Sequence, residues 1–234
     1  LLMNHIGTHD TPRAITVLGA HDGYVGDRKW QSERVLSAEE YNRGVGLLKL
    51  AAVLQFTLPG VPSIYYGDEA GLTGYGDPFC RAAYPWGREN TELLSFYRAL
   101  GALRRSSPAF ASGEFVPIRA ESGVFAFLRK KGGSTAFIAV NSGDSTAVTD
   151  LPPELKDIKR LSAISKAVLP RISIPIIFRS FKSIELSILS IIIGISGVSI
   201  SSTLLSKLSF RFVGLKQSVL CSKGMLAVVS LEVK

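Results

Sequence analysis

The sequence predicts an α/β fold, with parallel strands joined by helices along one rim, followed by a smaller antiparallel β unit. Three observations carry this. A strand, a long connection, a helix and a second strand succeed one another through residues 1–66, the alternation that builds parallel sheets. Both strands run out into polar clusters, Thr8-His9-Asp10-Thr11 and Tyr65-Tyr66-Gly67-Asp68-Glu69. Charged strand ends of this kind suggest one rim of a barrel, where active sites of parallel α/β proteins are built. After about residue 111 the apolar spacing changes from helical to strand-like.

Each element has its own local cause. Residues 1–10 read as the end of a buried strand entering a loop. Residues 11–36, punctuated by Gly19, Gly23 and Gly26, are expected to form a long connection, a length that is uncommon without a function. Ser37 and Glu40 then supply the S-x-x-E pattern of a capping box. Residues 41–58 are apolar almost all round, as in a helix buried between other elements. Leu58-Pro59-Gly60-Val61-Pro62 stops it, and residues 63–66 are β-prone. A second long loop, 70–89, leads to an amphipathic helix at 91–105 with the stripe Leu93, Leu94, Phe96, Tyr97, Leu100 and Leu103. Arg104 and Arg105 suit the negative end of its dipole, and Pro108 is expected to end it. Residues 114–118, 124–129 and 135–141 are short β runs separated by Ser122-Gly123 and Lys131-Gly132-Gly133, hairpin-type turns. The organisation is therefore 1–110, 111–160 and an atypical 161–234.

That last stretch accounts for the chain's basicity. The whole has 27 Lys/Arg and 19 Asp/Glu, but residues 161–234 hold nine of the former and only Glu185 and Glu232 of the latter. The rest of the chain is nearly neutral. The tail's cations are scattered singly, with no aromatic platform, so the charge does not describe a nucleic-acid surface. Residues 186–206 carry no charge, and their length would permit a membrane span. Seven serines and the lack of a flanking aromatic belt argue against one. The tail reads as the remainder of the β domain, with 225–233 as its strand-like finish, or, over about 165–220, as sequence read out of frame. Cys80 and Cys221 form neither a disulfide framework nor a metal-ligand spacing, and no secretory leader is visible. Localisation and oligomeric state are not legible.

The chemistry concentrates in three motifs. His9-Asp10-Thr11-Pro12-Arg13 resembles the "NHD-T-x-R" motif of the α-amylase family of retaining glycoside hydrolases. Gly60-Val61-Pro62-Ser63-Ile64-Tyr65-Tyr66-Gly67-Asp68-Glu69 is similar to that family's G-x-P-x-x-Y-Y-G-D-E strand. Gly76-Asp77-Pro78 followed by Arg81 resembles the G-D-P-x-x-R segment of its cyclomaltodextrinase, neopullulanase and cyclodextrin-glycosyltransferase branch. The resemblance covers roughly residues 1–150. It departs at Thr8, where the family usually has Asn.

The resemblance implies that residues 1–110 are the last two βα units of a (β/α)8 TIM barrel, and that the antiparallel β-sandwich begins near 111. It implies that Asp10 is the third catalytic carboxylate and His9 the histidine that bind hydroxyls of the distorted sugar. Arg13 is implied as an anchor of Asp10 or the sugar, with a structural ion pair as the alternative. Asp77 and Arg81 would bind a sugar several units from the cut, with a loop clamp as the alternative. The nucleophile and general acid would come from earlier strands, and no part of the 234 residues resembles them. No cofactor is evident; calcium ligands of some family members also come from earlier segments. The implied partner is an α-glucan, the maltodextrin, starch, pullulan or cyclodextrin class. The rival readings are a non-catalytic amylase-like binding or transporter-associated subunit, and a carbohydrate-binding β module.

Overall fold

In the computed structural model, residues 2–22 and 26–143 are described, together with the backbone of short strands at 147–150, 162–163, 218–221 and 226–232. Two parallel strands, β1 (Met3–His5) and β2 (Val61–Ser63), pair in the register Met3↔Val61 and His5↔Ser63. Between them the chain forms α1 (Ala14–Gly19), α2 (Arg28–Glu33) and the long helix α3 (Ala38–Thr57). The stretch 11–36 is thus not one connection, as the sequence suggested. It contains two six-residue helices, too short for helical periodicity to stand out.

Helix α3 starts as its sequence requires. The Ser37 side chain accepts from the Glu40 amide, and the Glu40 carboxylate accepts from the Ser37 amide at 2.7 Å. Leu48, Ala52 and Val53 are fully buried along α3. Gly44 lets α1 approach it closely: a Cβ there would stand 2.4 Å from the Ile15 carbonyl oxygen. Strand β1 is fastened to the far end of α3 by an exchange of amides. Asn4 Nδ2 donates to the carbonyls of Gln55 and Pro59, and Gln55 Nε2 donates to those of Asn4 and Ser63. One glutamine therefore ties both strands to the helix between them.

Beyond β2 a long loop holds a single 3-10 turn at Phe79–Arg81, then α4 (Thr91–Ser106) capped by Asn90. Pro108 ends this helix as expected, since the residue before a proline is held extended and Ser107 has φ −136° and ψ 127°. It opens a further short one, α5 (Pro108–Ser112), where Ser107 is the cap and a proline early in the first turn loses no needed bond. Arg104 does not merely face its own helix end: its guanidinium donates to the carbonyls of Phe56 and Gly60 at the end of α3.

Strands β3 (Glu114–Glu121), β4 (Val124–Lys131) and β5 (Ser134–Asn141) then form an antiparallel meander. The first hairpin turns at Ser122 and Gly123, both with positive φ (52° and 76°), the mirror-image turn that matches strand twist. Of the later strands β6 (Ala147–Asp150), β7 (Ser162–Ala163), β8 (Ser218–Cys221) and β9 (Leu226–Glu232), β9 pairs with β5 and β7 with β9, giving the order β3-β4-β5-β9-β7. Strand β9 falls on the strand-like run at 225–233. Most of 161–234, including 186–206 and the suspected out-of-frame segment, lies outside the described residues. Among those described, no helix is long and apolar enough to cross a membrane.

One core joins the helices to the sheet. Phe110, Phe127, Ala136, Ile138 and Val140 are buried in the same cluster as Leu48, Val53, Leu93 and Leu100. Arg129 on β4 is 1% exposed and spans the junction, donating to the carbonyls of Thr57 at 2.6 Å and Gly113 at 3.0 Å.

Candidate active site

The turn after β1 is built by two threonines. Thr11 Oγ1 accepts from the Thr8 amide at 2.9 Å, and Thr8 Oγ1 accepts from the Asp10 amide at 3.3 Å. Threonine at position 8 thus supplies the oxygen that shapes the turn, while the amide side chain sits earlier, at Asn4, fastening the strand. Between the threonines, His9 and Asp10 project into solvent, with Nε2 and Oδ2 3.1 Å apart and side-chain exposures of 64% and 69%.

The loop after β2 reaches back to this turn. The Cys80 thiol and the Arg81 Nε–H both donate to the His9 carbonyl, each at 3.2 Å. Arg81 also lies 2.8 Å from an Asp77 carboxylate oxygen and 3.5 Å from Asp10 Oδ1. The structure therefore brings His9, Asp10, Asp77 and Arg81 into one cluster, all accessible. Oriented acceptors and donors of this kind suit the hydroxyls of a neutral polyol and, on Asp10, a developing positive charge. The part of Cys80 was missed in the sequence, where it fits neither a disulfide framework nor a metal-ligand spacing.

Of the two roles the sequence left open for Arg13, the structure shows the ion pair: its guanidinium is buried beneath the open cluster and makes no contact with Asp10. The residue is 1% exposed and its NH1 pairs with Asp68 at 3.2 Å, while the Tyr66 carbonyl also accepts from it. Tyr65 lies beneath it, 4.1 Å from the guanidinium carbon to the ring centroid. Arg13 and Asp68 thus lock the two strand-end loops together from inside. Burial pushes the Asp68 carboxyl up to about 6 against the opposing pull of Arg13. Among the described residues no group of three His, Cys, Asp or Glu converges to hold a metal ion.

No family model matches the chain. Among curated proteins it is 36% identical over 158 residues to an amylopullulanase of Thermoanaerobacter thermohydrosulfuricus, covering 63% of this chain and 10% of that protein. A cyclomaltodextrinase of Thermoanaerobacter pseudethanolicus is 33% identical over 150 residues, covering 63% of this chain and 22% of that protein. Among solved structures, the ligand-free cyclic α-maltosyl-(1→6)-maltose hydrolase of Arthrobacter globiformis superposes with a TM-score of 0.52 at 31% identity, over 67% of this chain and 31% of that one. An α-amylase of Geobacillus thermoleovorans matches the fold with a TM-score of 0.62 at 19% identity, over 100% of this chain and 39% of its own. In sequence and fold the chain is a relative of the α-amylase-type glycoside hydrolases. Within them, its matches fall on the cyclomaltodextrinase-like branch. It spans between 7% and 22% of the length of the first curated relatives it matches.

Proposed function

We propose that the protein carrying this chain hydrolyses α-glucosidic bonds of maltodextrin, starch, pullulan or cyclodextrin with retention of configuration. In this reading β1 and β2 with their helices are the last two βα units of a (β/α)8 barrel, and the meander from Glu114 begins the β-sandwich. The observation that carries it is the His9–Asp10 pair, 3.1 Å apart at the carboxyl end of a parallel strand and open to solvent.

The chemistry follows from charge. Retaining glycosidases place two carboxyl groups about 5 Å apart, one a nucleophile and the other an acid/base, around an oxocarbenium-like transition state. Other strand ends of the barrel would supply those two. Asp10 accepts hydrogen bonds from sugar hydroxyls that become more acidic as the ring flattens, so its contribution is larger in the transition state than in the ground state. His9 donates to a hydroxyl of the same ring. Asp77 and Arg81 hold a sugar further along the chain.

Hydrolysis of maltodextrin, pullulan and cyclodextrin by the full-length protein is the test. Asp10→Asn should lower kcat by about 10²–10³, the scale of removing one transition-state partner, with a much smaller change in KM. Unchanged kcat in that variant would refute the role of Asp10. Binding of α-glucan with no hydrolysis would instead support the non-catalytic reading.

A further inference from the structure

The six residues of α2 bring no core of their own, since none of them is buried. The helix is closed from within. Asp27 accepts from the Trp30 amide at 2.9 Å, and Gln31 Nε2 donates to the Gly26 carbonyl at 3.0 Å. Its end is fixed by Arg34, whose guanidinium pairs with Asp22 at 2.9 Å and with Glu40, in the first turn of α3, at 2.7 Å. What α2 packs against is the loop 73–82.

Trp30 makes that contact. Gly26, at φ 146°, has no side chain, and a Cβ there would collide with the Trp30 ring, so the indole lies directly over the chain. Its other neighbour is the buried ring of Tyr75, with centroids 5.0 Å apart and planes at 63°. Edge-to-face aromatic pairs of this kind stabilise beyond the area they bury. Two residues on, the Asp77 carbonyl accepts from Arg28 of α2 at 3.4 Å. That bond is long, which makes Trp30 the principal link.

The loop's other ties lie toward its ends. At one, the Gly74 amide donates to Thr16 Oγ1 and the Gly74 carbonyl accepts from the Arg13 amide, each at 2.9 Å. At the other, Cys80 and Arg81 hold the His9 carbonyl. Between them Asp77 and Pro78 are exposed. The main chain at Asp77 therefore takes its position from α2. The Asp77 carboxylate, 2.8 Å from Arg81, passes that position to the guanidinium that faces Asp10.

We infer that Trp30 is a positioning residue for α-glucan binding: docked on Tyr75, it holds the Asp77–Arg81 pair where that pair meets the sugar. The inference rests on the α-glucan reading above and gives α2 a part in it. The turn bearing Asp10 is shaped by its own threonines, so losing Trp30 weakens binding without slowing the chemical step.

The test is a double-mutant cycle in the full-length protein, with Trp30→Ala, Asp77→Ala and their combination. It is read by calorimetric binding of maltoheptaose and by steady-state kinetics on the same sugar. Trp30→Ala should raise Kd and KM about three- to tenfold, the scale of one aromatic pair, with kcat unchanged. Trp30→Phe, which keeps a ring against Tyr75, should restore most of the affinity. In the Asp77→Ala background Trp30→Ala should change nothing further, because the two act in series. A lower kcat at constant KM would show a merely structural Trp30, through loss of folded protein, and overturn the inference. So would additive losses in the cycle, unchanged binding in Trp30→Ala, or failure of the unsubstituted protein to bind maltoheptaose. A binding cycle that follows the prediction in a protein without hydrolysis would defeat the proposed activity and leave the positioning role standing.

Discussion

The carbonyl oxygen of His9 accepts two donors from the other loop, the Cys80 thiol and the Arg81 guanidinium. That peptide carries the side chains of His9 and Asp10, so its orientation sets theirs. Cys80 is fully buried, and valine would fill its space without a donor. Cys80→Val should therefore lower kcat about tenfold with KM nearly constant, about 1.4 kcal/mol of positioning, whereas Cys80→Ser, which retains a donor, should restore most of it. Steady-state kinetics on maltodextrin separate the two; equal losses in both variants would mean that packing alone matters. At this scale the sequence showed which residue types meet but not their direction. His9 and Asp10 stood out as polar groups at a strand end, whereas Asp77 and Arg81 stood out only through the resemblance of their loop. Arg13 stayed open between two roles because its partner, Asp68, lies 55 positions away, and no local pattern records burial on that range.

Elements follow their local chemistry where the signal is local. The S-x-x-E box gave the start of α3, and the Ser-Gly turn gave the first hairpin, since each needs only a few neighbouring residues. Helices α1 and α2 escaped because six residues hold too few turns to show a period, and α1 is stabilised by packing on α3. Glu40 makes this packing pH-dependent. The Ser37 amide, the Arg34 guanidinium and the His21 amide hold its carboxyl down, to about 2 from an ordinary 4.5. A depressed acid stabilises the fold above its unfolded value and loses that contribution as pH falls. Thermal midpoints should accordingly drop between about pH 4.5 and 2, and Glu40→Gln should flatten that part of the profile while lowering the midpoint at neutral pH. Gly44→Ala tests the α1–α3 contact. The added methyl meets the Ile15 backbone, so destabilisation of about 1–3 kcal/mol is expected in chemical denaturation.

For the whole molecule, the decisive feature is that helices and antiparallel sheet share one core, with Arg129 bonded to α3, α5 and the segment before β3. The change of apolar spacing near residue 111 marks where the element type changes, and the chain nevertheless packs across that boundary. Burial lowers the proton affinity of the Arg129 guanidinium, with Arg104 adding repulsion, and three carbonyls compensate it. Arg129→Leu should leave the Thr57 and Gly113 carbonyls without this donor and uncouple the two parts, so that one calorimetric transition becomes two. A single transition, merely shifted, would show that the apolar core alone couples them.

The central claim is that Asp10 serves a retaining cleavage of α-glucosidic bonds. Proton NMR of the first product formed by the full-length protein from maltodextrin reads this directly. The account predicts that the α-anomer appears first and that Asp10→Asn suppresses its formation by about 10²–10³. A first-formed β-anomer, or an α-anomer that appears at the same rate in Asp10→Asn, would contradict it.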